Sequence, residues 1–298
     1  MTQSQQRYIV GLDGGGTGCR AVVSDHAGTI IGRGNGPAAN IATNFQGTLE
    51  SILIATRTAY ATANLPIEQM KNDVAVLGLA GSRVGDLSGR LEKTLPFFRS
   101  KVVNDRDTTV QGALEDADGS VAVIGTGSFF VGRHGENTVS IGGWGFHLAD
   151  DGSGARMGQE LLRRTVLAYD GLASHSDLSR AILVEFGGSP DGIVEFALQA
   201  DPRDYGEFAP RIIEGVRAGD IIAHEIFESA KACVQHALDT IGVGNGGSLC
   251  LLGGLGPIYQ EFLDSAYQAY CTPPKGNALD GAIELARREF ASQLGDEV

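Results

Sequence analysis

The sequence predicts an α/β protein built from two related units, and three observations lead to this prediction. Short apolar runs of strand length alternate with stretches of helical periodicity along the chain. Two regions, beginning near residues 8 and 119, each start with a strand, a glycine-rich turn and two further strands, although the residues themselves do not repeat. The length of 298 residues reaches the size at which one core stops growing, about 250–300 residues. We therefore expect domains at 1–116 and 117–298, with the last helix, 278–294, as an element that could return to the first domain.

The composition is that of a globular protein with an acidic surface. Hydrophobic residues make up 42% of the chain and charged residues 20%, which excludes a disordered chain. The formal net charge of −13 argues against a general surface for nucleic acid or for anionic membranes, so we expect neither as a partner. An anionic nucleotide stays admissible where a metal ion supplies the countercharge. The 43 glycines, without a collagen period, predict many tight turns.

The cysteines and the hydropathy pattern favour a cytoplasmic location. The four cysteines lie far apart, with no C-x-x-C pair and no histidine at ligand spacing, which is typical of reduced thiols and not of a zinc or iron–sulfur site. The segment MTQSQQRYIV lacks the charged and apolar regions of a signal peptide. The longest apolar runs, such as 120–132, are too short and too rich in glycine to span a bilayer.

The first unit opens with a hairpin around three successive glycines. The apolar run from Tyr8 to Leu12 predicts a buried strand, and a second strand resumes at Cys19 and continues to Ser24. Between the two strands lies Asp13-Gly-Gly-Gly-Thr17. Because this turn leads into a strand, it is neither a P-loop nor a dinucleotide-binding turn, both of which lead into a helix.

The glycine turn has the composition of an anion site beside a metal ligand. Three glycines remove every Cβ and allow positive φ, so backbone N–H groups can close on a bound anion. A carboxylate at the strand end, here Asp13, is where a divalent cation that bridges phosphates would be held. A tight glycine hairpin with a turn aspartate is the alternative, and the turn alone does not decide between the two.

The rest of the first unit predicts a mixed sheet in the order βββαβαβ. The predicted elements are, in order, a strand at 29–33, a loop at 34–40, a helix from Leu49, a strand at 73–79, a helix with leucines at 87, 91 and 95, and a strand at 101–103. The last strand ends at Asn104-Asp105, so two polar side chains follow it directly.

The second unit begins in the same way and continues with helices. The predicted elements are, in order, strands at 120–124, 129–133 and 139–141, helices between 152 and 213, a long helix at 222–241, a strand at 248–252 and a helix at 278–290. Gly125-Thr-Gly-Ser128 forms the turn of the first hairpin, and a plain hairpin turn is the alternative for it. Gly253-Gly-Leu-Gly256 follows the last strand. Two units with glycine turns suggest a cleft between domains, with phosphate loops on both walls.

Three motifs in this order resemble those of a known superfamily. Asp13-Gly-Gly-Gly-Thr17, Gly125-Thr-Gly-Ser128 and Gly253-Gly-Leu-Gly256 resemble the phosphate-1, phosphate-2 and adenosine motifs of the actin-like ATPase and sugar-kinase superfamily. Within it, the chain is most similar to the N-acetylglucosamine and bacterial glucosamine kinases of the BadF/BadG/BcrA/BcrD ATPase group. The supporting segments are 36–41, 104–105, 142–145, 150–154 and 202–206. The resemblance implies two actin-like (ribonuclease H-like) ATPase domains with a cleft between them.

The resemblance also implies substrates, cofactors and site residues. It implies ATP and Mg²⁺ as cofactors, an amino sugar as the second small-molecule partner, and a homodimer as an open option. Asp105 would be the catalytic base, and Asp13 would hold Mg²⁺ through water, because Mg²⁺ dehydrates reluctantly. The expected ATP-binding residues are Gly14, Gly15, Gly16, Thr17, Gly125, Thr126, Gly127, Gly253, Gly254 and Leu255. The expected sugar-binding residues are Asn40, Asp105, Thr126, Gly143, Trp144, Gly145 and Asp150.

Simpler structural roles stay open for several of these residues. Asp105 suits the N-cap of the helix that follows it, and Asp150 could cap the helix that begins shortly after it. Asp107 is expected to cap a helix or to face solvent. Trp144, the only tryptophan, could pack on the apolar face of a sugar or fill the core. Arg20 could reach a phosphate or simply lie on the strand surface.

The function that the resemblance implies is an ATP-dependent phosphotransferase with an alcohol acceptor. It would phosphorylate the 6-hydroxyl of N-acetylglucosamine, of glucosamine or of both. Segment 202–206 favours glucosamine and segment 142–145 suits kinases of the acetylated sugar equally well, so both stay open. The alternatives are a kinase for another hexose such as glucose, and an ATPase that activates a 2-hydroxyacyl-CoA dehydratase. The wide cysteine spacing argues against the activator, which needs cysteines for a cluster between two subunits.

Overall fold

The computed structural model describes residues 7–294, which divide into two compact units. The first unit contains the described residues up to Ala117 and those from Pro274 onward, and the second runs from Asp118 to Pro273. Each unit has its own β-sheet. Within residues 7–294, no helix combines the length and the apolar character that a membrane crossing requires.

Nine strands and thirteen α-helices form the described part of the chain. The strands are β1 (Ile9–Gly14), β2 (Cys19–Ser24), β3 (Ile30–Gly36), β4 (Val74–Leu79), β5 (Arg99–Asn104), β6 (Gly119–Ile124), β7 (Ser128–His134), β8 (Asn137–Gly142) and β9 (Ser248–Leu252). The helices are α1 (Phe45–Thr62), α2 (Leu87–Glu92), α3 (Asp105–Leu114), α4 (Gly154–Tyr169), α5 (Asp177–Glu185), α6 (Pro190–Gln199), α7 (Pro202–Gly206), α8 (Ala209–Ala218), α9 (Ile221–Thr240), α10 (Gly256–Phe262), α11 (Ser265–Gln268), α12 (Ala278–Glu289) and α13 (Ala291–Leu294). A 3₁₀ helix, which the sequence did not predict, covers Ile67–Asn72.

The first unit contains a mixed five-stranded sheet in the order β3-β2-β1-β4-β5. β1, β2 and β3 are antiparallel neighbours, whereas β4 is parallel to β1 and β5 is parallel to β4. The predicted βββαβαβ order and the mixed sheet are therefore confirmed. Because β1, β4 and β5 run in the same direction, their carboxyl ends lie along one edge of the sheet.

Helices cover both faces of this sheet. On one face, Leu12 of β1 lies in a core cluster with Ile52 and Ala55 of α1. On the other face, Ile9 of β1 lies in a cluster with Ile283 of α12. A sheet that is buried on both faces needs continuously apolar strands, which explains why β1 and β4 read as uninterrupted apolar runs.

β3 is longer than the sequence predicts. It runs to Gly36, although the residues from Gly34 onward were predicted to form a loop. A Cβ on Gly34 would overlap the carbonyl oxygen of Ala55 in α1, whereas the next side chain, Asn35, is exposed. The glycine that suggested a loop is therefore required by the close approach of a helix to the strand.

Gly34→Ala is expected to lower the free energy of unfolding by about 3 kcal/mol, because the added methyl group pushes α1 away from the sheet. Asn35→Ala, on the exposed side of the same strand, is the matched control and should change stability by no more than about 0.5 kcal/mol. Urea denaturation of both variants measures the difference. Equal stability of the two variants would contradict this account of the close approach.

Asp73 is buried and lies directly before β4. The sequence had predicted it as the first residue of that strand. Its carboxylate accepts hydrogen bonds from the Tyr8 backbone N–H at 2.8 Å, the Tyr60 hydroxyl at 2.6 Å and the Gln69 side-chain amide at 2.8 Å. Burial raises the pKa of Asp73, and these donors act in the opposite direction. The cluster joins the start of β1 to α1 and keeps a buried carboxyl group supplied with partners.

Two helix boundaries also differ from the prediction. α1 begins at Phe45, one turn before Leu49, because the Asn44 side chain caps it by accepting the Gly47 N–H at 2.8 Å. α2 ends at Glu92, so Leu95 lies outside the helix. A proline follows Leu95, and the residue before a proline avoids the helical conformation.

The second unit contains a four-stranded sheet in the order β8-β7-β6-β9. β6, β7 and β8 are antiparallel neighbours, and β9 runs parallel to β6. The helices of this unit contribute to one large core cluster that includes Leu161, Ile212, Phe227 and Tyr259. The strand predicted at 248–252 matches β9 in both bounds, and the long helix predicted at 222–241 corresponds to α9.

Candidate active site

Strand ends gather polar side chains at one edge of the first sheet. Asp13 lies near the end of β1, and Asp105 directly follows β5. Asn40 forms an isolated parallel bridge with Ala80, the residue after β4. Since the carboxyl ends of these parallel strands share an edge, the structure brings together the predicted metal ligand, the predicted base and one predicted sugar ligand.

The turn that follows β1 is open beside its backbone. Gly14, Gly15 and Gly16 do not adopt positive φ, so the freedom that the sequence suggested for them is not used. A Cβ on Gly14 would lie 2.7 Å from Leu79 Cδ2, whereas a Cβ on Gly15 or Gly16 would meet no atom within 4 Å. Gly16 and Thr17 are exposed. The turn therefore leaves space in which a bound group could approach its N–H groups.

Asp13 pairs with Arg20 across the first hairpin. The two residues are direct partners in the register of β1 and β2, and Arg20 Nη2 contacts Asp13 Oδ2. The Asp13 side chain is 19% exposed and that of Arg20 is 55% exposed. The sequence left the role of Arg20 open, and the structure gives it a specific carboxylate partner.

Asp105 is the first residue of α3 but does not cap it. The N-cap is Asn104, whose side chain accepts the Arg106 N–H at 3.3 Å. Asp107 completes a capping box by accepting the Asn104 N–H at 3.1 Å. The capping role considered for Asp105 is therefore wrong, and the one considered for Asp107 is confirmed.

The environment of Asp105 raises its pKa from the ordinary 3.8 to about 6. Burial is the largest cause, because the charged form loses hydration, and the nearby charge of Asp13 raises the pKa further. The guanidinium of Arg106 acts in the opposite direction. A carboxyl group with a pKa of about 6 is mostly ionised at neutral pH and is a stronger base than an ordinary carboxylate, which suits it to accept a proton from a hydroxyl group.

In the second unit, the turn between β6 and β7 is held by the start of α4. The Gly125 N–H donates to the Gly127 carbonyl at 2.9 Å, which closes the turn. From α4, the Gly154 N–H donates to the Gly125 carbonyl at 2.8 Å and the Ala155 N–H donates to the Thr126 carbonyl at 3.3 Å. These bonds fix the backbone that presents the Thr126 side chain.

A second glycine segment of the same unit lies beside this turn. The Leu255 N–H donates to the Ile124 carbonyl at 2.9 Å, and Gly253 has a φ of +81°. A Cβ on Gly125 would come within 3.8 Å of the Gly254 nitrogen. Two of the segments predicted to bind ATP are therefore neighbours within the second unit.

Asp150 is buried against the β6–β7 turn. It is only 8% exposed, and a Cβ on Gly127 would lie 2.8 Å from Asp150 Oδ2. Its φ of +65° is uncommon for a residue other than glycine. The cap of α4 is Ser153, whose hydroxyl accepts the Arg156 N–H at 3.3 Å, so the capping role considered for Asp150 is wrong.

Trp144 lies on an exposed loop between β8 and α4. Its side chain is 64% exposed, which excludes the role in the core that the sequence left open. Gly143 and Gly145 flank it with positive φ values of 63° and 90°. The loop is anchored by Phe146, which is buried and stacks on Tyr205 at a centroid distance of 5.2 Å.

Ser82 is a residue at the edge of the first sheet that sequence reasoning missed. Asn104 Nδ2 donates to Ser82 Oγ at 3.1 Å, which connects the segments that follow β4 and β5. The Ser88 hydroxyl donates to the Ser82 carbonyl at 2.8 Å. The position of Ser82 shortly after a buried strand was the available indication, because Asp105 was selected directly after the next strand of the same sheet.

The donor chemistry around Asp13 suits magnesium bound together with phosphate. Among residues 7–294, no group of three His, Cys, Asp or Glu side chains could hold a metal ion unaided. Mg²⁺ keeps several waters and usually takes one or two carboxylates plus substrate phosphates. One carboxylate beside an open glycine turn matches that preference.

Comparisons with known proteins find similarity along most of the chain. A model of the BadF/BadG/BcrA/BcrD ATPase family matches residues 10–270. Glucosamine kinase GspK of Vibrio cholerae is 30% identical over 280 residues, which cover 94% of this chain and 95% of the relative. The N-acetyl-D-glucosamine kinase of Dictyostelium discoideum is 24% identical over 261 residues, or 79% of either chain.

A solved structure shows the same architecture. The crystal structure of a proposed N-acetylglucosamine kinase from Chromobacterium violaceum has a TM-score of 0.88 and 28% sequence identity, covering 95% of this chain and 99% of that one. The predicted fold class, α/β with two actin-like domains, is confirmed.

Proposed function

Because the chain belongs to the BadF/BadG/BcrA/BcrD ATPase family, we propose that it is an ATP-dependent amino-sugar kinase. It transfers the terminal phosphoryl group of ATP to the 6-hydroxyl of glucosamine, of N-acetylglucosamine or of both. Kinases named for these two sugars are among its relatives, which supports the substrate class. The observation that carries the proposal is the Asp105 carboxyl group, which is partly buried beside Asp13 and has a pKa of about 6.

Asp105 acts as the general base. A sugar hydroxyl is a poor nucleophile at neutral pH and needs a group that accepts its proton as it attacks the γ-phosphorus. A bond forms between the sugar oxygen and phosphorus, the bond to the oxygen that bridges to the β-phosphate breaks, and the proton remains on Asp105 until it passes to water. The rest of phosphoryl transfer is positioning and charge neutralisation.

The glycine segments and Asp13 bind the nucleotide and its metal ion. Mg²⁺, when bound, neutralises the charge on the phosphates. Asp13 is the residue that holds it, through water, and the N–H groups of Gly14–Thr17 hold the β- and γ-phosphates. Gly125, Thr126 and Gly127 contribute further phosphate contacts. Gly253, Gly254 and Leu255 lie against the adenine.

The sugar is held by polar side chains and one aromatic ring. Asn40 and Asp150 bind sugar hydroxyl groups, because amide and carboxylate oxygens accept hydrogen bonds along fixed directions. Thr126 shares in this contact. Trp144, between Gly143 and Gly145, packs on the apolar face of the sugar, and its 64% exposure supports a role at a ligand surface.

The alternatives considered from the sequence are less favoured. A dehydratase activator and a glucose kinase would both share the fold, but the relatives that cover most of this chain carry names of amino-sugar kinases. The net charge of −13 also supports small-molecule partners over nucleic acid or an anionic membrane. A homodimer stays a proposal from the resemblance, and light scattering of the purified protein would test it.

A panel of sugars is incubated with ATP and Mg²⁺. We expect the kcat/KM for phosphorylation of glucosamine or N-acetylglucosamine to be at least about tenfold higher than that for glucose. The reason is that glucose lacks the amino or acetylamino group and so cannot make the polar contact that this group makes. Product mass and the position of the phosphate are the measurements. A 6-deoxy analogue of the best substrate is the matched control and should give no product. ATP hydrolysis without sugar phosphate, or phosphate at another hydroxyl, would contradict the proposal.

A further inference from the structure

An open cavity of about 610 Å³ lies in the first unit, at the edge of the sheet opposite Asp13 and Asp105. Its walls come from the turn between β2 and β3, the end of α3 and the helix α12. That turn lies beside the start of β1, because Ser24 pairs with Ile9, whereas Asp13 lies near the other end of the same strand. The volume is within the range of small-molecule sites, about 300–1,000 Å³. The cavity is therefore large enough for a ligand and lies away from the candidate active site.

The two helices that wall this cavity are in direct backbone contact. A Cβ on Gly112 of α3 would overlap the carbonyl oxygen of Asn277, and a Cβ on Gly281 of α12 would overlap the carbonyl oxygen of Thr108. Helices that pack this closely leave no room for either one to shift toward the other. The backbone of these walls is therefore held in place before any ligand arrives.

Side chains of both charges line the cavity. The cationic ones are Lys275, Arg287 and Arg288, and the anionic ones are Glu115, Asp116, Asp280 and Glu284. Lys275 pairs with Glu115 at 3.1 Å, and Arg288 pairs with Asp116 at 2.9 Å. These four side chains are between 45% and 74% exposed, and ion pairs in such positions are weak. A ligand that carries charges of its own can therefore exchange partners with them at little cost.

Polar groups of the walls keep capacity for a ligand. Gln111 lines the cavity and is only 7% exposed, yet its Nε2 donates to Asp116 Oδ1 at 3.5 Å, the outer limit for a hydrogen bond. The Glu284 carboxylate is shared between Arg287 Nη1 at 3.0 Å and Arg288 Nε at 2.9 Å. Because one carboxylate serves two guanidinium groups with five N–H donors each, Arg287 retains donors for an oxyanion.

The mixture of charges selects the class of ligand. A polyanion would lie against four carboxylates of the same sign. An apolar ligand would bury charged side chains without supplying partners for them, which is costly. A metal ion alone does not fit either, because the part of the chain that the structure describes has no group of three His, Cys, Asp or Glu side chains that could hold one. A small molecule that carries both signs of charge can satisfy both sets of side chains.

We propose that this cavity binds a small zwitterion, a molecule with an ammonium group and an oxyanion. Lys275 and Arg287 contact the oxyanion, and the adjacent carboxylates of Glu115 and Asp116 contact the ammonium group. The site lies at the far end of α3, a 10-residue helix about 15 Å long that begins with Asp105. Two sources share this chemistry. One is a free α-amino acid, and the other is phosphorylated glucosamine, which rests on the proposed function because that reaction would produce it.

Calorimetry on the intact protein tests the site with two probes, glucosamine 6-phosphate and L-glutamate. Arg287→Gln should weaken binding of at least one probe about tenfold or more, because a charge-assisted contact to the oxyanion is lost. Asp116→Asn should weaken the same probe by a similar factor through the ammonium group. The N-acetyl derivative of that probe, which has no ammonium group, should bind the wild type at least about tenfold more weakly. The probe that responds identifies the source, since binding of glucosamine 6-phosphate at the candidate active site does not depend on Arg287.

Arg217→Gln is the matched control. Arg217 forms an exposed ion pair with Glu261 in the second unit, so its loss changes the net charge equally, and we expect probe affinities within about twofold of wild type. If the wild type binds neither probe, or if Arg287→Gln and Arg217→Gln bind both probes alike, the inference is overturned. Sugar phosphorylation is scored separately. A wild type that binds a probe in an Arg287-dependent way but phosphorylates no sugar would overturn the proposed function and leave the zwitterion site standing.

Discussion

Asp105→Asn is expected to lower kcat by about two to four orders of magnitude while the protein still binds ATP and sugar, because the amide cannot accept the proton of the attacking hydroxyl. Binding is expected to survive since Asp105 does not cap α3, and its replacement leaves the Asn104 cap in place. A coupled assay for ADP gives kcat. Calorimetry with the sugar and with a non-hydrolysable ATP analogue gives the affinities.

Asp107→Asn is the matched control for this variant. Asp107 lies on the same first turn of α3 and carries the same charge, but its carboxylate accepts the Asn104 N–H. We expect Asp107→Asn to keep kcat within a few-fold and to lose at most about 1 kcal/mol of stability through the weakened cap. Near-normal turnover in Asp105→Asn, or equal losses in the two variants, would remove Asp105 from the mechanism.

The raised pKa of Asp105 adds a pH dependence to this prediction. With a pKa of about 6, the base becomes protonated as the pH falls through 6, so kcat of the wild type should decline about tenfold per pH unit below that value. Asp105→Asn should lack this decline, because it has no group that titrates at this position. A wild-type profile that stays flat down to pH 5 would contradict the assignment.

The same pKa predicts that Asp105→Asn, although it lowers activity, makes the folded protein more stable at high pH. The folded-state pKa, about 6, lies above the ordinary 3.8, so ionisation of Asp105 is disfavoured in the folded protein. The resulting loss of folding stability is absent below pH 4, where Asp105 is protonated in both the folded and unfolded states, and is complete above pH 6. Asp105→Asn should therefore raise the free energy of unfolding at pH 8 by about 2 to 3 kcal/mol and leave it nearly unchanged at pH 4. A residue with a purely structural role would show a loss at both pH values.

The order of elements could be predicted because each element has its own local pattern. The apolar runs of β1 and β9 and the 3.6-residue period of α9 need no information from elsewhere in the chain. The end of β3 could not be predicted, because Gly34 is a strand residue only by virtue of its contact with Ala55 of α1. A glycine that makes room for a helix and a glycine that begins a loop look alike in a sequence.

For the candidate site too, some features could be predicted from the sequence and others could not. Polar residues at the ends of parallel strands could be predicted to meet, as Asp13 and Asp105 do, because strand direction fixes which edge they share. The exposure of Trp144 and the burial of Asp150 could not be predicted from the sequence, since both depend on the conformation of the loop after β8. The β1–β2 register places Asp13 opposite Arg20, but only the structure shows that their side chains are in contact.

The hairpin that holds Asp13 also provides a clean test of the metal role. Asp13→Asn is expected to raise the Mg²⁺ concentration for half-maximal activity by at least about tenfold, because an uncharged amide is a weaker ligand for a hard cation and its waters. Asp25→Asn is the matched control, since Asp25 follows β2 and its carboxylate accepts the Thr29 N–H at 2.8 Å.

The same pair of variants separates a metal ligand from a turn residue. If Asp13 only held the hairpin through Arg20, its replacement would cost at most about 1 kcal/mol of stability, as for an exposed ion pair, and the Mg²⁺ dependence would match that of Asp25→Asn. If Asp13 serves the metal, activity of Asp13→Asn should recover in part at high Mg²⁺, while the KM for the sugar stays near the wild-type value. Partial recovery by Mg²⁺ is the decisive measurement, because weaker folding or a weaker sugar site would not respond to the cation.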